Sequence, residues 1–228
     1  MCNTQKSSPR RVITIVVLGL LGAALNVAIC IFFKLIGFPL YLDTIMTIAV
    51  TLTGGLFAGI LCGALTNIII HSIYFWGWEV YLFSLCSIAT AVAVWLFARF
   101  FPRELNMDHA EAARENLPAT RNVMDLVIVL ILLSFTLCII ISILGGIIAT
   151  LITAINQPLV ERASLAGILA ATMFNQEFPL LLKEILSRIP INSIDRLISA
   201  FAGFGFALCI RQLIKSTLRK SLTETAPL

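Results

Sequence analysis

The chain has 228 residues, of which 59% are hydrophobic and only 12% are charged, and its mean hydropathy is +1.00. A soluble domain of this size could not hide so much apolar surface from water, so the composition excludes a soluble globular protein and predicts an integral membrane protein. The formal net charge of +4 is informative mainly about membrane topology, and no nucleic-acid partner is expected.

Apolar segments of membrane-spanning length recur along the chain. A helix needs about 20 apolar residues to cross a hydrocarbon core of about 30 Å. By this measure we predict an all-α polytopic membrane protein, a bundle of six transmembrane helices. The predicted spans are Val12–Phe33, Leu42–Thr53, Gly55–Trp76, Tyr81–Phe101, Val123–Ile155 and Ile194–Ile214. The second span is short, so we expect it to begin nearer Pro39, to tilt little, or to be sheltered by its neighbours.

The segments between and around the spans complete the domain organisation. Residues 1–11 and 216–228 are predicted to be cytoplasmic tails that flank one transmembrane domain, residues 12–215. The polar stretch 103–121 indicates a short surface helix or a solvated loop. Residues 156–190 mix apolar and charged positions, and we predict one or two amphipathic helices there, at the outer interface or folded back over the bundle.

The distribution of basic residues predicts the orientation. With six spans and an inside amino terminus, eleven of the sixteen basic residues lie on the cytoplasmic side, in agreement with the positive-inside rule. These eleven are Lys6, Arg10, Arg11, Arg99, Arg103, Arg114, Arg121, Arg211, Lys215, Arg219 and Lys220. We therefore expect a multi-pass protein of the cell membrane with both termini in the cytoplasm.

Motifs that would indicate an enzyme are missing from the sequence. There is no HExxH, GxSxG or P-loop pattern, and the only histidines are His71 and His109. The six cysteines have no metal-ligand or disulfide spacing and read as small apolar residues. We expect no catalytic residues, no cofactor and no metal site. If the protein pumps a solute, another protein must hydrolyse the ATP.

A small set of polar and aromatic residues lies near the span ends that are predicted to face outside. A polar side chain in lipid is costly unless it is paired or faces a cavity, so these residues are candidates for a substrate site. They are Tyr41, Asp43, Asn67, His71, Trp78, Glu79, Tyr81, Asn156, Asn175, Glu177, Asn192, Asp195 and Arg196.

Each candidate also has an interpretation that needs no substrate. Asp43 could cap the second helix after the turn at Pro39. Asn67 and His71, one helical turn apart, could form interhelical hydrogen bonds that fix packing. The charged residues could be solvated at the membrane boundary, and the tryptophan and tyrosine residues could anchor the chain at the interface.

Small residues recur at four-residue steps on several predicted helices. Gly55, Gly59 and Gly63 wind around the third span and offer a close contact to a neighbouring helix. Comparable seams are Ser199, Gly203 and Ala207 on the last span and Gly145 with Ala149 on the fifth. We expect these seams to be packing surfaces rather than binding sites.

Two segments carry a resemblance to a known family. The block LYLDTIMTIAVTLTGGLFAGILCGALTNII and the segment PINSIDRLISAFAGFGFALCIRQLIK, with six spans and both termini inside, resemble the substrate-binding S components of energy-coupling factor (ECF) transporters. The block also resembles membrane input domains of some bacterial sensor kinases, which leaves a sensory or scaffold subunit as the alternative.

The resemblance implies a function and partners. An S component captures a small solute, a vitamin-like molecule or a metal ion, from outside, and a T-component membrane protein with ATPase subunits supplies the energy. The family's Ala-x-x-x-Ala signature, which contacts the T component, is matched by Ala24 and Ala28. No substrate signature of the best-known vitamin carriers is present, so the sequence does not predict which solute is bound.

Overall fold

The structure, a computed structural model, describes residues 9–38, 40–74, 78–105, 122–156, 172 and 178–224. Within these ranges all regular secondary structure is helical, as the sequence predicted. The helices are α1 (Pro9–Leu35), α2 (Ile45–Gly54), α3 (Leu56–Ile73), α4 (Ser84–Phe100), α5 (Pro102–Leu105), α6 (Val123–Asn156) and α7 (Leu180–Glu224), and a 3-10 turn (Trp78–Phe83) precedes α4.

Five helical segments are long and apolar enough to cross a membrane. They are Val12–Leu35, Leu56–Ile73, Glu79–Phe100, Val123–Ile155 and Leu180–Ser216. Most of their large apolar side chains are exposed on the outside of the bundle, where lipid rather than water would solvate them. The described part of the chain is therefore a membrane-embedded helical bundle.

The short helix α2 lies in the middle of this bundle. It has ten residues, and eight of them are buried. Its length is about 15 Å at 1.5 Å per residue, about half of the hydrocarbon thickness. Helices α1, α3, α4 and α7 all pack against it, so neighbours shelter it, which is one of the outcomes expected for the second span. The helix does not begin near Pro39, however; it begins at Ile45.

Consecutive helices run in opposite directions. Residue Leu18 of α1 lies against Gly54 at the end of α2, and Asn26 of α1 contacts Asp43 before its start. Helix α3 turns back after Gly55, whose φ of 86° favours glycine. We call the two ends of the bundle the Asp43 end and the Gly55 end.

Three glycines of the predicted small-residue seams, Gly59, Gly63 and Gly203, make close contacts between helices, whereas Gly55 has no neighbour within 4 Å of its Cβ position. Gly59 lies against Thr51 of α2, and Gly63 lies against Ser87 of α4. On α7, a Cβ atom at Gly203 would lie 2.7 Å from the carbonyl oxygen of Ile45, which leaves no space for a side chain. These helices therefore pack at distances that only small residues permit, as predicted.

The last helix differs from the prediction. We expected a break before Ile194, but α7 is continuous from Leu180 through Pro190 to Glu224. Two of the charges that suggested an interfacial segment are paired within this helix, since Arg188 lies 3.5 Å from Glu184 and both side chains are largely buried. A proline inside a membrane helix is tolerated when neighbouring helices support the turn, and here Ile185 packs directly on Gly146 of α6.

The rest of the two predicted polar segments lies outside the described residues. Of the stretch 103–121, only the short helix α5 is described, up to Leu105. Residues 157–171 and 173–177 of the predicted amphipathic segment are likewise not among the described ranges.

Candidate functional site

Buried polar side chains from two helices and the turn before α2 meet where the chain enters α2. Five residues, Asn26, Asp43, Thr44, Asp195 and Arg196, form this polar centre, and all of them except Asp43 are at most 4% exposed. They come from α1, from the turn before α2 and from α7. A short helix that starts inside the bundle leaves backbone groups without helical partners, and side chains must satisfy them.

Asn26 holds the turn before α2 from the side of α1. Its Oδ1 accepts a hydrogen bond from the N–H of Met46 at 2.8 Å, and its Nδ2 donates to the carbonyl oxygen of Asp43 at 2.8 Å. The same amide donates to the hydroxyls of Thr47 at 3.2 Å and Thr66 at 3.3 Å. One fully buried amide thus joins α1, α2 and α3.

Three charged groups of the polar centre form a triad, which is Asp43, Arg196 and Asp195. The Arg196 guanidinium lies 2.8 Å from Asp195 Oδ2 and 3.5 Å from Asp43 Oδ1, and it also donates to the Thr44 hydroxyl. Asp195 is fully buried, whereas the Asp43 side chain is 21% exposed. The triad therefore has one accessible member, and that member is a carboxylate.

The backbone next to the triad is strained. Leu42 has a φ of +47°, which few residues other than glycine adopt, and its side chain is 1% exposed. Its N–H donates to Asp195 Oδ1 at 2.8 Å, so the buried carboxylate of α7 fixes this conformation. Strain of this kind is retained where the surrounding structure over-determines it, and such residues cluster at functional sites.

Further predicted residues lie at the same end of the bundle. His71 is buried, and its ring meets that of Tyr81 edge to face with centroids 6.1 Å apart. The Tyr81 hydroxyl lies 3.1 Å from the Ser72 hydroxyl. Glu79 is 8% exposed in the 3-10 turn, and Tyr41 is exposed at the rim.

Two predicted site residues bind neighbouring helices instead of facing the polar centre. Asn67 donates to the Ser87 hydroxyl of α4 at 2.5 Å, which is the packing role considered for it. Asn192 of α7 donates to the Ser142 hydroxyl of α6 at 2.9 Å. Each amide ties two helices together.

Four predicted residues are not placed by the structure. Asn175 and Glu177 lie outside the described residues, and so do the side chains of Trp78 and Asn156. The pair Ala24 and Ala28 is exposed on the outer face of α1, whereas Asn26 between them points inward.

Asn26 and Thr44 are central to the site and were not among the predicted site residues. Asn26 has a sequence signal, because a single amide in the middle of an apolar span is costly unless it is paired. Thr44 has no such signal, since a threonine hydroxyl in a helix can bond to its own backbone.

Other features of the described residues lie apart from this site. An apolar groove of about 380 Å³ runs between α4 and α6, and residues such as Val92, Phe97 and Ile140 line it. None of the predicted site residues lines the groove. Among the described side chains, no group of three or more His, Cys, Asp or Glu residues is placed to hold a metal ion.

Comparisons with known proteins do not identify a family. No protein-family model, no curated protein and no solved structure matches the chain.

Proposed function

We propose that the chain is the substrate-binding subunit of an ECF-type importer, which captures a small solute outside the cell. A separate T component and ATPase subunits would complete the transporter. The observation that carries the proposal is the buried triad of Asp43, Arg196 and Asp195. Ionisable groups inside a membrane bundle are expensive and by default mark a functional site.

The position of the triad supports a solute site in particular. It lies at the start of α2, a helix that begins within the bundle after a non-helical turn. Membrane transporters build solute sites at such interrupted helices, because the free backbone groups and the helix dipole can bind ligand charges there. The partial exposure of Asp43 gives a solute a carboxylate to contact.

The proposal includes a topology. Helix α2 and the turn before it are counted with the five long helices, which gives six crossings of the membrane. The Asp43 end faces outward, and both termini are cytoplasmic. The basic residues Arg99, Arg103 and Arg211 support this orientation, because they lie at the opposite end, and Arg211 contacts the carboxyl-terminal carbonyl of Leu52 in α2.

The proposal also includes a docking face for the T component on α1. Ala24 and Ala28 lie one turn apart on the exposed side of this helix. Small residues on a lipid-facing surface allow another helix to approach closely, so the pair is suited to a helix–helix contact in the membrane.

The decisive experiment is to purify the tagged full-length chain from its native cells in mild detergent. Mass spectrometry would then identify the proteins and the small molecules that remain bound. We expect a T-component protein, ATPase subunits and one enriched solute. A preparation that contains neither the partner proteins nor any solute would contradict the proposal.

A sensory subunit is the second candidate, and the length of α7 favours it. This helix has 45 residues, about 68 Å, and runs without interruption from the triad to Glu224. A continuous helix can carry a change at a ligand site to a cytoplasmic partner. Capture of a regulatory protein in place of the ATPases, or regulatory genes beside the gene of this chain, would favour sensing.

A further inference from the structure

The charges of the triad do not balance. Arg196 lies close to Asp195, at 2.8 Å, and less close to Asp43, at 3.5 Å. By formal charge, one guanidinium is therefore shared by two carboxylates, and the more distant of the two, Asp43, is in excess. In a medium of low dielectric constant, such an excess charge favours a ligand of opposite sign.

Exposure singles out Asp43 as the group that a ligand can reach. The Asp43 side chain is 21% exposed, whereas those of Asp195 and Arg196 are 0% and 4% exposed. An anionic ligand would have to compete with two carboxylates for one enclosed guanidinium. A cationic ligand needs to contact only Asp43.

A second carboxylate at this end is also unmatched. Glu79 is 8% exposed, and within the described ranges no cation lies at ion-pair distance from it. Arg188 of α7 pairs with Glu184 in the same helix. Glu79 therefore adds a second negative charge to this end of the bundle, with no cation of the described residues beside it.

Aromatic rings at the Asp43 end suit a nitrogen cation. The ammonium group of Lys34 lies over the ring of Tyr74, 3.2 Å from the ring centroid, so the chain's own side chains already make this contact. Tyr41 and Tyr81 lie two positions from Asp43 and Glu79 in the sequence, and the ring of Tyr81 also meets that of His71. Rings attract organic ammonium groups through the cation–π interaction. A metal ion fits less well, because the described residues offer no cluster of three metal ligands.

We propose that the solute is an organic cation whose charged nitrogen is bound by the carboxylate of Asp43. This inference rests on the proposed function, because it concerns the solute of the same site. It excludes anionic solutes and free metal ions as the main cargo.

The test uses the full-length chain in lipid nanodiscs and a polar-metabolite extract separated by ion exchange into cationic, neutral and anionic pools. Each pool is incubated with the protein, and the retained compounds are identified by mass spectrometry, with elemental analysis for metals. We expect at least one organic compound of the cationic pool to be retained at least tenfold more by the wild-type chain than by D43N.

Two variants separate a loss of charge from a loss of fold. D43E keeps the carboxylate and should restore part of the retention. The control E184Q/R188M removes another largely buried carboxylate together with its cation, so that no charge is stranded, and should leave retention unchanged. All variants are compared by size-exclusion chromatography, and the comparison uses those that elute as the wild type does.

The outcomes distinguish the two proposals. Retention from only the neutral or the anionic pool, retention of a metal alone, or equal retention by D43N would overturn the inference, while captured ATPase subunits would leave the transport proposal intact. Retention of nothing from any pool, without captured ATPase subunits, would overturn both.

Discussion

The two ends of α2 are held by different chemistry. At the Gly55 end, a single cation, Arg211, donates to the carbonyl oxygen of Leu52, which is what the negative end of a helix dipole requires. At the Asp43 end, an amide and three charged groups surround one turn of backbone. Side chains bond to the backbone at both ends, but the Asp43 end contains more charged groups than these bonds use.

This difference separates structural polar groups from functional ones. Asp195 accepts a hydrogen bond from the N–H of Leu42 in the turn before α2, and Asn26 accepts one from the N–H of Met46 in its first turn, so both side chains support the backbone. The second carboxylate, Asp43, offers its side chain to no backbone group in the described residues. A polar side chain that is not needed to bond the backbone is available to a ligand. The Asp43 end has such a side chain and is therefore the better candidate site.

The largest effect is expected from removing the positive charge of the triad. R196M leaves Asp195 buried without a cation, so we expect a loss of about 3–5 kcal/mol in the free energy of unfolding. The change would be measured by unfolding in mixed micelles with increasing SDS. The double variant R196M/D195N removes the stranded charge and should recover part of the loss. If R196M were as stable as the wild type, the triad would not be formed as described.

A smaller effect is expected from Asn26. N26L leaves the N–H of Met46 and the carbonyl of Asp43 without their partner, and we expect a loss of about 2–3 kcal/mol. Hydrogen exchange would localise the change, because the amide of Met46 should exchange faster while amides near Thr51 keep their protection. Equal acceleration at both ends of α2 would mean that Asn26 stabilises the helix as a whole rather than its start.

The opposite end supplies the contrasting prediction. R211M removes the cation from the carboxyl-terminal end of α2, and we expect a loss of about 1–2 kcal/mol, because one charged hydrogen bond disappears without stranding a buried charge. Solute retention by R211M should equal that of the wild type, since the Asp43 end is untouched. If R211M lost solute retention without losing stability, Arg211 would belong to the binding site, and the two ends of α2 would not differ in function.

The sequence predicts this architecture better than it predicts the details of the site. Apolar length is a strong signal, so α1, α3, α4 and α6 begin and end within a few residues of their predicted spans. The start of α7 was predicted wrongly, because Glu184 and Arg188 look like boundary charges until they are seen to pair with each other. Asp43, Asp195 and Arg196 could be singled out by the cost of charge in lipid. The sequence does not predict that Asp43 and Arg196 are in contact, because they are about 150 positions apart and only tertiary packing brings them together.

The smallest effect on stability is expected on the outer face of α1, where the proposed partner would dock. The double variant A24L/A28L adds apolar volume to exposed positions, so the free energy of unfolding should change by less than about 0.5 kcal/mol. The matched control is A23L on the inner face, where the residue is 1% exposed and overpacking should cost about 1–3 kcal/mol. If the outer face binds a T component, A24L/A28L should lose captured ATPase subunits while retaining solute as the wild type does. If A24L/A28L lost solute retention but still captured ATPase subunits, these alanines would act within the fold of the chain. Both faces of α1 would then influence the Asp43 end.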